Sequence, residues 1–198
     1  MTDTLWQSFA NANAAAREVE ALHAAIEQAV AEGELGGIRA SEDDWTYESW
    51  SDEDDWIASY AIQSIKIRDA GARGAARGTL SIAISLYRSE GRAGEGWPGG
   101  QRAKIYVGVA LTAKAWDEDS LLLDGSGRAE VAEPRSRYRW FRTDNAQAWF
   151  FCVALEAIDS RDTLINEVIR PVAILLAGTE EETAFAASKA IFETGVPL

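Results

Sequence analysis

Cysteine, histidine and long apolar runs are scarce in this chain of 198 residues. The single Cys152 excludes an intrachain disulfide, and a zinc site is a poor expectation because His23 is the only other residue of the usual zinc-binding types. No apolar run reaches the roughly 20 residues that span a bilayer, and residues 1–9 lack the basic and apolar parts of a secretory signal. The sequence therefore predicts a cytoplasmic protein that uses no membrane, metal or cofactor.

Positive charge is scarce as well, because 19 bases stand against 32 acids and the formal net charge is −13. This balance disfavours direct binding to nucleic acid or to anionic membranes, both of which need basic surface. The acids are concentrated in residues 1–60, which hold 14 acids and 2 bases, whereas residues 61–114 hold 3 acids and 9 bases. A partner, if there is one, is expected to be basic.

Signatures of catalysis are missing or stand in the wrong context. Gly94, Gly96 and Gly99 have the spacing of a dinucleotide-binding loop, but a predicted strand follows them where that motif needs a helix. Cys152 lies in an apolar run that is typical of a buried thiol, and His23 lies on a predicted helix without an orienting partner. The sequence therefore favours binding over catalysis.

Apolar residues recur in steps of three and four near the N-terminus and predict an amphipathic helix over residues 4–33. The stripe consists of Leu5, Phe9, Ala12, Ala16, Val19, Leu22, Ile26 and Val30. Gly33 is a suitable stop, since glycine readily adopts the left-handed conformation that ends many helices.

The middle of the chain has the alternation of β-strands. Residues 79–87 and 104–112 alternate between large apolar residues on one face and mostly small residues on the other, and further strands are predicted at 56–68, 137–142 and 148–156. The connections are too short for crossover helices, so the strands are expected to form an antiparallel meander of about five strands.

A helical C-terminus completes the predicted fold. Ser160 or Asp162 can cap a mostly apolar helix, Pro171 should kink or split it, and Gly178 should end it. Thr179 and Glu182 have the spacing of a capping box, which predicts a second helix from about Thr179 to Phe192. Residues 1–198 are thus predicted to form a single α+β domain, with a long N-terminal amphipathic helix, the meander, and C-terminal helices packed on the sheet.

An acidic segment rich in aromatic residues is the first candidate site. Residues 41–55 show no clear period and are interpreted as a loop that enters a strand. Rigid aromatic side chains supply binding energy and acids steer a basic partner. The predicted partner-binding residues are Trp45, Tyr47, Trp50, Asp52, Asp54, Asp55 and Trp56. Alternatively, the aromatics pin the loop onto the sheet and the acids neutralise the basic middle of the chain.

The second candidate is an alternating arginine run. Arg135, Arg137 and Arg139 are predicted to share one face of a strand, where they could bind an anion such as phosphate. Tyr138 and Trp140 would lie on the opposite face, so stacking and charge could not act together. Protection of a sheet edge or pairing with internal acids is the alternative interpretation.

These features support the hypothesis of a non-enzymatic protein that binds a basic protein or peptide, in the manner of an inhibitor, adaptor or immunity protein. One alternative is an acidic mimic of DNA that inhibits a DNA-binding protein. Another is a sensor or enzyme that binds a small molecule in a pocket between the sheet and the C-terminal helices.

Overall fold

Among the residues that the computed structural model describes, helices towards both ends of the chain flank seven strands, which confirms the predicted α+β class. The structure describes residues 2–39, 45–50, 60–69, 76–86, 102–111, 136–142 and 147–194. The strands are β1 (Ile38–Arg39), β2 (Trp45–Trp50), β3 (Tyr60–Asp69), β4 (Gly78–Ser85), β5 (Lys104–Ala110), β6 (Arg139–Arg142) and β7 (Ala148–Ala154). The helices are α1 (Thr2–Ala31), α2 (Arg161–Leu164), α3 (Arg170–Leu176) and α4 (Glu181–Phe185).

All strand pairs of the sheet are antiparallel. The order is β1, β3, β4, β5, β7, β6, and β2 pairs with β3 on the same edge as β1. The chain therefore runs as a meander from β2 to β5, after which β7 pairs with β5 and β6 lies outside it. This order leaves β2 at one edge of the sheet and β6 at the other.

The strand β2 corrects the interpretation of residues 41–55 as a loop. It pairs residue by residue with β3, from Trp45 opposite Ile65 to Trp50 opposite Tyr60. Aromatic and β-branched residues favour a strand here, but the dense acids around them obscured that preference. Residues 41–44 and 51–55 of the predicted loop lie outside the described residues.

One face of the sheet forms the main core together with α1 and the C-terminal helices. Its inward residues Leu80, Ile82, Ile84, Ile105, Val107 and Val109 are fully buried, in the alternation that the sequence predicts. Each such side chain contributes roughly 1.5–3 kcal/mol by leaving water. The opposite face is also buried, since Ser81 and Ala83 have no exposed surface and Ala110 is 5% exposed.

The helix α1 is buried only in its second half. Val19, Ile26 and Val30 lie in the core, whereas Phe9 of the same predicted stripe is 46% exposed. The predicted stop is confirmed, because Gly33 has a φ of 87° two residues after the helix ends at Ala31. The first half of α1 is thus exposed, although the predicted apolar stripe continues through it.

The C-terminal helical segment accommodates its proline by widening. Ser160 caps α2 in a reciprocal capping box with Thr163, and a π-helical turn at Ile165–Ile169 separates α2 from α3. This turn ends two residues before Pro171, whose ring would collide with the carbonyl group four residues earlier in a regular α-helix. Gly178 ends α3 with a φ of 82°, as predicted.

The last helix is shorter than predicted. It ends at Phe185, and its N-cap residue Glu180 makes no side-chain capping bond. The expected capping box of Thr179 and Glu182 is therefore wrong. The Glu182 side chain instead accepts a hydrogen bond from the Tyr138 hydroxyl at 3.2 Å.

Candidate functional site

The outer edge of β2 brings part of the predicted partner-binding set together. Trp45 is partly buried against the main core, whereas Tyr47 is 54% exposed. Trp50 pairs with Tyr60 at the end of the strand, at a position of opposite parity to Trp45 and Tyr47. Within the described residues β2 pairs only with β3, so its other edge offers main-chain groups to a partner. Asp52, Asp54, Asp55 and Trp56 lie outside the described residues.

A polar cluster lies where α1 crosses the β2 side of the sheet. The ring of His23 meets the ring of Tyr47 edge to face, with 4.9 Å between the centroids. Burial lowers the pKa of His23 to about 4, so its imidazole is neutral at pH 7. Both ring nitrogens of His23 and Oε1 of Gln63 are buried without a hydrogen-bond partner in the described structure.

Three residues of this cluster, His23, Glu27 and Gln63, were not among the predicted site residues. Nε2 of Gln63 donates a hydrogen bond to Oε1 of Glu27 at 2.7 Å. Glu27 follows His23 by four positions, a spacing that places both residues on one side of a helix. Gln63 is a buried polar residue in β3, where it interrupts the apolar alternation. The pairing of β3 with β2 and β4 is continuous at this position, so the strand has no bulge there. The sequence signal that could have identified Gln63 as a site residue was its polar side chain at an inward position of a predicted strand.

Two of the three predicted anion-binding arginines, Arg137 and Arg139, have carboxylate partners within the chain. Nε of Arg139 donates to Oε1 of Glu181 at 2.6 Å, and Nε of Arg137 donates to Oε2 of Glu193 at 2.7 Å. Arg139 is 8% exposed, and desolvation by burial lowers its pKa although Glu181 opposes that change. Arg137 precedes β6 instead of lying within it, and Arg135 is outside the described residues. Anion binding by these arginines stays a prediction.

The C-terminal segment packs beside β6, at the side of the sheet opposite β2. Ala154 of β7 donates its N–H to the carbonyl oxygen of Ala190 at 2.9 Å, and Phe192 donates to the carbonyl oxygen of Cys152 at 2.9 Å. The buried carboxylate of Glu167 accepts the N–H groups of Lys189 and Ala190 at 3.1 and 3.2 Å. The C-terminal residues therefore pair with β7 beside β6 and are held on this side of the sheet.

The described residues offer little to support catalysis. Burial raises the pKa of the Cys152 thiol to about 12, so the nucleophilic thiolate does not form at neutral pH. Glu156 accepts a hydrogen bond from Nε of Arg102 at 2.9 Å, and this bond lowers the pKa of Glu156. Among the described residues, no three side chains of the His, Cys, Asp or Glu types lie close enough together to hold a metal ion.

No helix among the described residues has the length and apolar character needed to cross a membrane. Comparison of the chain with protein families, with curated proteins and with solved structures found no match. Function must therefore be inferred from the residues and their geometry.

Proposed function

We propose that this protein binds a basic, extended polypeptide along the outer edge of β2, and that binding, not catalysis, is its function. The observation that carries the proposal is that the predicted acidic aromatic segment contains an edge strand with an exposed Tyr47. Alternate residues of such a strand direct their N–H and C=O groups away from the neighbouring strand. An extended peptide can use these groups by adding a strand to the sheet.

Charge complementarity supports a basic partner. Glu48 on β2 and Glu27 on α1 are exposed, and the segments flanking β2 in sequence carry Asp43, Asp44 and the acids from Asp52 to Asp55. The exposed ring of Tyr47 offers a face for a lysine or arginine side chain of the partner. A basic peptide would thus gain main-chain hydrogen bonds together with charge attraction.

The pairing of bases elsewhere favours this proposal over mimicry of DNA. Arg77, Arg102 and Arg161 are partly exposed and form ion pairs with Asp69, Glu156 and Glu32. Mimicry needs acids at phosphate-like intervals on a surface of one sign. Mixed charges over these regions support a local acidic site for a polypeptide.

The test uses labelled seven-residue peptides that alternate lysine with threonine, and matched peptides that carry glutamate in place of lysine. We expect fluorescence anisotropy to show at least tenfold tighter binding of the lysine peptide, because acids flank the edge. Peptides methylated on the main-chain nitrogens of either alternate set separate strand addition from charge attraction. One methylated set should lose binding and the other should keep it, since only one set faces β2.

Two protein variants locate the site. Glu48→Lys should weaken binding of the lysine peptide about fivefold, as expected for reversing one exposed charge. Glu180→Lys makes the same charge change at the start of α4 and serves as the matched control, with no expected effect. Equal binding of both methylated sets, or equal effects of the two variants, would refute strand addition at β2.

A further inference from the structure

A separate cleft opens at the end of the sheet where β4 ends and β5 begins. It lies between the Ala15–Ala25 part of α1 and residues 155–164, and it encloses about 680 Å³. Its apolar walls come from Val19, Leu22, Leu86, Leu155, Ile158 and Leu164. Pockets of roughly 300–1,000 Å³ with mostly apolar walls are the usual sites for small organic ligands.

The polar groups around this cleft are mainly carboxylates. Glu18, Glu156 and Asp159 line it, and Arg161 is the one basic residue among the described lining side chains. Arg161 forms an ion pair with Glu32, which is not part of the lining.

Two of the three carboxylates have no compensating cation among the described residues. Glu156 is paired with Arg102, whereas Oδ1 of Asp159 accepts only the hydroxyl of Thr163, at 3.1 Å, within the described residues. Glu18 is exposed and makes no hydrogen bond or ion pair with another described residue. The cleft thus combines apolar walls with uncompensated negative charge, which favours cations and repels anions.

We propose that this cleft binds a small organic cation with an apolar body, of the aryl-alkyl amine class. The apolar part would lie between Leu22 of α1 and Ile158, and the ammonium group would lie towards Glu18 and Asp159. Fatty acids and other apolar anions also have an apolar part, but the carboxylates around the cleft would repel their negative charge. The inference is independent of partner binding at β2, because no residue of β2 lines the cleft.

The test compares three probes that share one body, namely 4-phenylbutylamine, 4-phenylbutanol and 4-phenylbutyrate. Calorimetric titration should show the amine binding about fivefold tighter than the alcohol, and the butyrate binding more weakly than the alcohol. Methyl NMR spectra should show shifts at Leu22, Ile158 and Leu164. Equal affinity of amine and butyrate, or shifts confined to other parts of the protein, would overturn the proposal.

Variants of α1 make the test specific. Ala21→Trp fills the cleft from an exposed position, so it should abolish binding of the amine and the alcohol while the melting temperature is retained. Glu18→Gln should reduce the preference for amine over alcohol to about twofold. Glu20→Gln makes the same change on α1 outside the cleft and should leave the preference unchanged. Unaltered amine binding by Ala21→Trp, or equal effects of Glu18→Gln and Glu20→Gln, would refute the site.

Discussion

The two edges of the sheet carry similar side chains but differ in what covers them. At the β6 edge, Arg139 pairs with Glu181, and the indole N–H of Trp140 donates to the carbonyl oxygen of Phe192 at 2.9 Å. At the β2 edge, Tyr47 is exposed and the neighbouring His23 has no hydrogen-bond partner among the described residues. Aromatic and charged residues in a strand therefore do not by themselves show whether their side chains have partners within the chain or remain exposed.

The difference lies in where the complementary groups come from. The acids that pair with the arginines of the β6 edge belong to the C-terminal segment of the same chain, namely Glu181, Glu182 and Glu193. The acids near β2 have only Gln63 as a described polar partner, through Glu27. The charges of the β6 edge are matched within the chain, and we propose that those near β2 are matched by a partner.

The largest expected effect on stability is at Glu167, which binds the C-terminal segment near the β6 edge of the sheet. Glu167→Ala leaves the N–H groups of Lys189 and Ala190 without their acceptor, so we expect a loss of about 3 kcal/mol in the free energy of unfolding. Urea denaturation measures this loss. Asn166→Ala, at the exposed neighbouring position, should leave the stability unchanged, and an equal loss in both variants would contradict the role of Glu167.

The next largest effect is at Arg139. Arg139→Met removes one partner of a nearly buried ion pair and should cost about 2 kcal/mol, because Glu181 then keeps only its 3.3 Å contact with Arg142. In a double-mutant cycle with Glu181→Gln, the second change should cost less in the Arg139→Met variant than in the wild type. Arg170→Met, at an exposed position of α3, is the control, and additive losses in the cycle would show that the pair does not couple.

A pH-dependent effect on stability is expected from His23, beside the β2 edge of the sheet. The pKa of His23 is about 4 in the folded protein against 6.5 as its ordinary value, so the unfolded chain binds the proton first as the pH falls. The wild type should therefore lose about 2 kcal/mol relative to His23→Phe between pH 7.5 and pH 5. Urea denaturation of both proteins at the two pH values gives this difference, and a constant difference would show that His23 is not buried in its neutral form.

The smallest effect is expected at Arg137. Its ion pair with Glu193 is exposed, so solvent screens most of the attraction. Arg137→Gln should not shift the urea midpoint detectably. A loss as large as that of Arg139→Met would mean that the exposed pair, and not the buried one, holds the C-terminal segment on the sheet.

Local sequence patterns were sufficient to predict most of the elements. Alternation in β4 and β5 and the glycines at positions 33 and 178 predicted strands and helix ends that the structure confirms. Prediction failed where one local signal opposed another, as in residues 45–50, where dense acids concealed a strand. The capping box at Thr179 failed because Glu180 is the N-cap residue of the helix, and Glu182 instead contacts Tyr138, which is distant in sequence.

The candidate sites were less predictable than the fold. Tyr47 was found from composition, but its contact with His23 requires α1 to cross the sheet beside β2. The cleft beside Glu18 was not predictable, because its walls come from α1, from the end of β4 and from the segment after β7. Such convergence depends on contacts between distant segments, which a local pattern does not encode.

The sequence by itself determined the class of fold, the scarcity of catalytic groups and the acidic character of the first 60 residues, because these follow from composition and local periodicity. The tertiary structure alone decided which charges have partners within the chain. Arg139 and Glu181 are far apart in sequence and meet only because β6 lies outside β7 and α4 follows the long C-terminal helical segment. Pairing of charges depends on distance in space, and folding sets that distance.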